Sequence, residues 1–84
     1  MNNMIQIELD AVAARKRALE KRNQTITTIK EDVAGYISRA VNKGLLKASY
    51  AIPKDEDIAE IIADWLEKLG YEIEVDCPFW NIKW

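Results

Sequence analysis

Hydrophobic and polar positions change their period several times along the chain, and each change predicts an element. Met4 to Leu9 (MIQIEL) alternates, which predicts a short strand or an extended lead-in. Asp10 then stands where a helix N-cap belongs, and Ala11 to Arg22 is rich in helix formers. The pattern weakens at Asn23-Gln24. Thr25-Ile26-Thr27-Thr28-Ile29 follows, a β-branched run whose restricted χ1 costs helix propensity. Thr28 with Glu31 fits a capping box, so a second helix is expected to start there. From Ile26 the residues Ile29, Val33, Tyr36/Ile37 and Ala40/Val41 continue one helical stripe. It ends at Lys43-Gly44, a basic last turn followed by a residue free to adopt positive φ. Two helices with a break near Asn23 are therefore expected.

A competing pattern runs through the same stretch. Ile5, Val12, Leu19, Ile26, Val33 and Ala40 are each seven apart, the spacing of one unbroken helix packed along a seam. Such a helix from Asp10 to Lys43 would be about 50 Å long at 1.5 Å per residue. A compact domain of this size is only about 30 Å across, so the helix would protrude and need a partner. Arg15 and Arg22 at the complementary seam positions make a poor seam, which favours the break.

After Gly44 the period becomes two. Leu46, Ala48, Tyr50 and Ile52 alternate with Lys47, Ser49 and Ala51, a strand closed by Pro53. Asp55-Glu56-Asp57 places carboxylates at a helix start. Ile58, Ile61, Ile62, Trp65, Leu66 and Leu69 then form one apolar face that Gly70 terminates. Tyr71, Ile73, Val75 and Cys77 alternate with Glu72, Glu74 and Asp76, a half-buried strand interrupted by Pro78, which has no N–H to donate. Trp80, Ile82 and Trp84 share one face of a final strand that folds back as a hairpin, with Lys83 able to meet Glu72, Glu74 or Asp76. These aromatics are expected to supply core. Each buried aromatic ring removes roughly 150–250 Å² from water.

The expected architecture is α+β: two N-terminal helices followed by a β-α-β-β unit with a small mixed three-stranded sheet. The first two strands, joined by a helix, should run parallel, with the last antiparallel and able to lie between them. Residues 1–84 form a single domain, with 1–44 helical and basic and 45–84 acidic. The wet face should carry Glu72, Glu74, Asp76, Lys83, Lys47 and Ser49.

Composition narrows the chemistry. The chain has 84 residues, one Cys and no His. A chain this short buries only about 60% of its unfolded surface, so the core is thin and packing or self-association must compensate. No intrachain disulfide can form at Cys77, and a structural zinc site lacks its usual ligands. The lone thiol and the absence of a signal peptide suggest a reducing cytoplasm. No apolar run is long enough to span a membrane. The net charge of −2 is unevenly divided, at +4 over residues 1–47 and −6 over residues 48–84. Such segregation speaks to partners and association.

The order helix, strand, "IP", amphipathic helix, "WLEKLGYEIEV", then a strand ending "NIKW" resembles a group of small uncharacterised bacteriophage α+β accessory proteins. In these an Ala-Arg pair, here Ala14-Arg15, opens a helix. A looser I-x-x-x-L-x-x-x-G-Y-x-V segment, here Ile62 to Val75, precedes a β-rich end with a terminal Trp. The resemblance covers most of the chain, but its motifs are structural. It implies an α+β fold and a phage origin, and it carries over no catalytic residue. Phage proteins of this size often bind and inhibit a host or defence factor.

Each chemical motif competes with a plainer reading. His-assisted nucleophilic catalysis is excluded by the absence of His. Cys77 reads as a small buried filler ahead of a reactive thiol. Asp55-Glu56-Asp57 and Glu72/Glu74/Asp76 read as a helix start and a solvated strand face, not a metal site. Gly35, Gly44 and Gly70 make no phosphate-binding loop, and Gly35 either marks close helix packing or is a tolerated surface glycine. Arg15, Lys16, Arg17, Lys21 and Arg22 make a basic helix. The expectation is therefore a non-enzymatic protein without cofactors that binds and inhibits or sequesters a host protein, with homo-oligomers in prospect and no membrane contact. Its candidate contact residues are Arg15, Arg17, Lys21, Arg22, Glu72, Glu74 and Asp76. Two alternatives use the basic helix: a nucleic-acid-binding accessory protein, and an oligomeric sponge for a small anionic ligand.

Overall fold

A computed structural model describes residues 10–84, and the strand expected over Met4–Leu9 lies outside them. The elements are α1 (Ala11–Asn42), β1 (Lys47–Ala51), α2 (Glu56–Lys68), β2 (Glu72–Asp76) and β3 (Phe79–Lys83). The α+β class is as expected. The two N-terminal helices are not.

α1 is one helix of 32 residues with no break at Asn23. Two features override the β-branched run. Thr25 and Thr28 donate their hydroxyls to the carbonyls of Lys21 and Gln24, at 3.1 and 2.9 Å, so both side chains satisfy themselves inside a continuous helix. Ile26 and Ile29 pack against the core, a tertiary gain larger than the few tenths of a kcal/mol that their propensity costs. Glu31 accordingly caps nothing. The N-cap is Asp10, whose Oδ1 accepts from the Ala13 amide at 2.8 Å.

Both helix ends expected from glycines are present. Gly44 adopts φ 75° and Gly70 φ 97°. Leu45 N–H reaches Ala40 O and Gly44 N–H reaches Val41 O, both at 2.9 Å. Tyr71 N–H to Leu66 O and Gly70 N–H to Glu67 O repeat the motif, satisfying carbonyls the helix leaves open. Gly35 answers its own question. A Cβ there would meet only Arg39 Nη1, at 3.8 Å, so no close helix approach requires the glycine.

The sheet has the order β1-β3-β2. β3 pairs antiparallel with both neighbours, Ala48 opposite Ile82 on one side and Ile73 opposite Ile82 on the other. β1 and β2 do run in the same direction, as expected for strands joined by a helix, but they never touch. The sheet is therefore antiparallel throughout and not mixed. The most apolar strand takes the centre because only there are both its edges paired.

α1 and α2 cover one face of this sheet. Val33, Ile37, Ile58, Ile62, Leu66, Trp80 and Ile82 form the buried cluster. Each large side chain in it contributes about 1.5–3 kcal/mol of burial. The closing aromatics divide. Trp80 is buried, whereas Phe79 and Trp84 remain substantially exposed. Phe79 takes the outer face of β3. Trp84 lies one residue beyond the strand and stands edge-to-face on Tyr71 at 6.1 Å. Cys77, expected as buried filler, is exposed in the β2–β3 turn.

The molecule is elongated, 60 × 22 × 21 Å, with a radius of gyration of 17.4 Å. A compact chain of this length would have about 12 Å. α1 supplies the excess, since Ala14 to Lys21 is exposed at every position. No helix among the described residues is long and apolar enough to cross a membrane.

Candidate binding surfaces

Arg22 marks where α1 joins the body. Its guanidinium lies 3.6 Å from Asp55 Oδ2 and 3.5 Å from Asp57 Oδ2. Asp55 is also the N-cap of α2, its Oδ1 accepting from the amides of Asp57 and Ile58 at 3.0 and 3.2 Å. Capping and ion pairing thus converge on one carboxylate. About two turns further on, Lys30 Nζ sits 5.1 Å from the centre of the Trp65 ring, a contact that tightens the α1–α2 seam. Upstream of Arg22 the helix continues as an arm, exposed from Ala14 to Lys21 and free of packing among the described residues. Among the described residues it carries Arg15, Lys16, Arg17 and Lys21 with two carboxylates, the N-cap Asp10 and Glu20. Val12 and Leu19, seven residues apart, are 78% and 45% exposed there.

Of the seven residues singled out from sequence, Arg15, Arg17 and Lys21 lie on this arm, while Arg22 is half-buried and committed to Asp55 and Asp57. Glu72, Glu74 and Asp76 line the outer face of β2, where Lys83 bridges to Glu74 at 3.4 Å. Among the described residues no ion pair links the arm to β2. The acidic surface that the basic helix meets within the molecule is the start of α2. The rest of that acidic face, Glu60, Asp64 and Glu67 around the exposed Ile61, continues along α2.

A second surface was hidden from sequence reading. A cleft of about 930 Å³ opens between the last turns of α1, the Gly44–Leu46 loop and β1. Its cations are Arg39, Lys43, Lys47 and Lys83, and among the described residues no carboxylate side chain lines it. Tyr36 and Trp84 provide aromatic walls, and Leu46 is 72% exposed at its rim. Arg39 stacks over Tyr36 at 4.9 Å, and Tyr36 meets Tyr50 edge-to-face at 5.2 Å. Only the charge of Lys43 and Lys47 around Gly44 hinted at this site, because its walls come from residues 36 to 84 in sequence.

Tyr50 anchors β1 beneath the cleft by donating its hydroxyl to Asp32 Oδ2 at 2.8 Å. Burial, then the bond and charge of Asp32, push the phenol up to about 12. It therefore stays protonated and serves as a fixed strut instead of a proton carrier. Among the described residues no group of three or more acidic or thiol side chains is placed to hold a metal ion. Comparison with protein-family models, curated proteins and solved structures returned no match.

Proposed function

We propose that this is a non-enzymatic binding protein, of the phage accessory kind, that binds and inhibits or sequesters a protein of the bacterial host cytoplasm through the free arm of α1. The observation that carries the reading is the arm itself. An isolated helix of about eleven residues is marginal in water, yet this one presents Val12 and Leu19 on one side amid four cations and two anions, Asp10 and Glu20. That combination suits an acidic surface with an apolar stripe, where desolvating the two aliphatic side chains supplies affinity and the cations supply orientation and encounter rate. The phage origin rests on the resemblance of the chain's element order and closing segments. A second copy offers a surface of the same chemistry along its α2, around Ile61, so a homo-oligomer is the second reading.

The test compares wild type with Leu19→Asp and with the triple variant Arg15→Glu/Arg17→Glu/Lys21→Glu. Neither variant touches the packed body, so melting should be unchanged within about 1 kcal/mol. A host protein retained by wild type and lost by both variants supports the proposal. Capture of nucleic acid alone, with affinity falling steeply as salt rises, defeats it in favour of the nucleic-acid reading. A solution mass that doubles with concentration in wild type but not in the variants shifts the arm's partner to a second copy.

A further inference from the structure

β1 is an edge strand, and its ladder shows which of its backbone groups are free. Trp84 N–H bonds Leu46 O at 3.1 Å and Ile52 N–H bonds Pro78 O at 2.9 Å. With the register that pairs Ala48 with Ile82 and Tyr50 with Trp80, the even-numbered residues of β1 face β3. The amides and carbonyls of Lys47, Ser49 and Ala51 therefore point away from the sheet. Among the described residues no strand pairs with that edge. The cleft lies alongside it, with Lys47 and Ser49 on one wall and Tyr36, Arg39 and Lys43 on the other.

We infer that this cleft receives an extended, acidic peptide segment of a partner protein, which adds to β1 as a fourth strand. Open strand edges template an incoming strand through main-chain hydrogen bonds, with flanking pockets reading alternate side chains. Charge selects the occupant. Among the described residues Arg39, Lys43 and Lys47, with Lys83 shared with Glu74, line the cleft and no carboxylate side chain does, so an acidic segment is drawn in and a basic one excluded. Pairing of two β1 edges would bring two such clefts, each with Arg39, Lys43 and Lys47, to one seam, and this gathering of like charge is disfavoured. The free edge of β2, beside Glu72, Glu74 and Asp76, has the right sign. However, a β1–β2 contact between copies is head-to-tail, and it makes a discrete complex only where its rotation closes into a ring. A separate partner segment avoids that. This site is distinct from the arm, about 30 Å away along α1 at 1.5 Å per residue, and the two can succeed or fail independently.

The probe is a synthetic peptide with the alternation of residues 71–76, Tyr-Glu-Ile-Glu-Val-Asp, capped at both ends. Added to the full chain it should slow amide hydrogen exchange at Lys47 and Ser49 by tenfold or more while leaving Ala14 to Lys21 unaffected. Lys43→Glu/Lys47→Glu should weaken binding at least tenfold, with an unchanged far-ultraviolet spectrum. Replacing the peptide's carboxylates by lysines should abolish it. Methylating alternate peptide nitrogens should weaken it tenfold in one of the two phases, since only one set faces β1. Equal binding by both methylated peptides removes strand addition. Preferential binding of a six-nucleotide oligothymidine shows the cleft to be a nucleic-acid site instead. Growth of solution mass with concentration, suppressed by Lys43→Glu/Lys47→Glu in the absence of peptide, shows that β2 of another copy fills it. Any of the three overturns the inference.

Discussion

Exchanging glycine and alanine at two points of the same helix tests whether α1 is half body and half free arm. At Gly35, introducing alanine removes a helix-interior glycine worth about 1 kcal/mol. The added Cβ meets only a flexible guanidinium at 3.8 Å, and φ there is not positive, so nothing opposes the gain. Gly35 lies between Val33 and Ile37, both in the core cluster, so its helical conformation is coupled to global folding. Gly35→Ala should raise stability by about 0.5–1 kcal/mol, which for a domain of this size is about 2–8 °C in Tm. Ala14→Gly is the mirror change on the exposed arm. It costs the same about 1 kcal/mol, but only in local helix stability, because among the described residues no packed contact holds that turn. Its Tm should stay within about 1–2 °C of wild type, while amide exchange from Ala14 to Lys21 accelerates roughly fivefold, the factor that 1 kcal/mol sets. Calorimetry and exchange read by mass spectrometry give both numbers. Should Ala14→Gly lower the Tm as far as Gly35→Ala raises it, the arm is folded as one unit with something, and the picture of a free arm is wrong.

Three further outcomes check the packing. Trp80→Ala should cost about 3–5 kcal/mol, close to global unfolding, whereas Trp84→Ala, losing one edge-to-face contact and a half-open cleft wall, should cost about 0.5–1.5 kcal/mol; equal losses in urea titration would put Trp84 in the core. Tyr50→Phe should cost about 0.5–1.5 kcal/mol near neutral pH. Because the folded phenol is raised, that contribution is complete below pH 10 and disappears as pH climbs through about 12, so the gap between wild type and variant should close over that window; a constant gap to pH 12 would mean no bond to Asp32. Arg22→Ala should cost under about 1 kcal/mol, since both its carboxylate partners are exposed, and the difference should shrink in 0.5 M salt, where the Debye length falls to about 4 Å.

What local chemistry dictates could be read from the residues. Asp10, Gly44, Asp55 and Gly70 bound the helices because caps and positive φ act over a few residues. The alternation of Tyr71 to Lys83 named the hairpin and even the approximate partner of Lys83. The continuity of α1 was not legible, because Thr25 to Ile29 is a poor helix by propensity and becomes a good one only when Ile26 and Ile29 find α2 and the sheet. The division among the closing aromatics was hidden for a similar reason. Alternation assigns a face, but how far along the strand the helices extend their cover is a matter of tertiary geometry, and Trp84 falls just past it. The arm residues Arg15, Arg17 and Lys21 were visible as a basic helix. The cleft was not, since Arg39, Lys47 and Lys83 converge only after the strands assemble.

The 60 Å length also has a hydrodynamic consequence. A rod-like particle drags more solvent than a sphere of equal mass, so a single chain should leave a size-exclusion column early, at the position of a globular protein well above 9.7 kDa. Removing the segment before Arg22 should delay elution by more than the lost mass alone accounts for. Sedimentation velocity would report the same asymmetry as a frictional ratio that drops toward that of a sphere once the arm is gone.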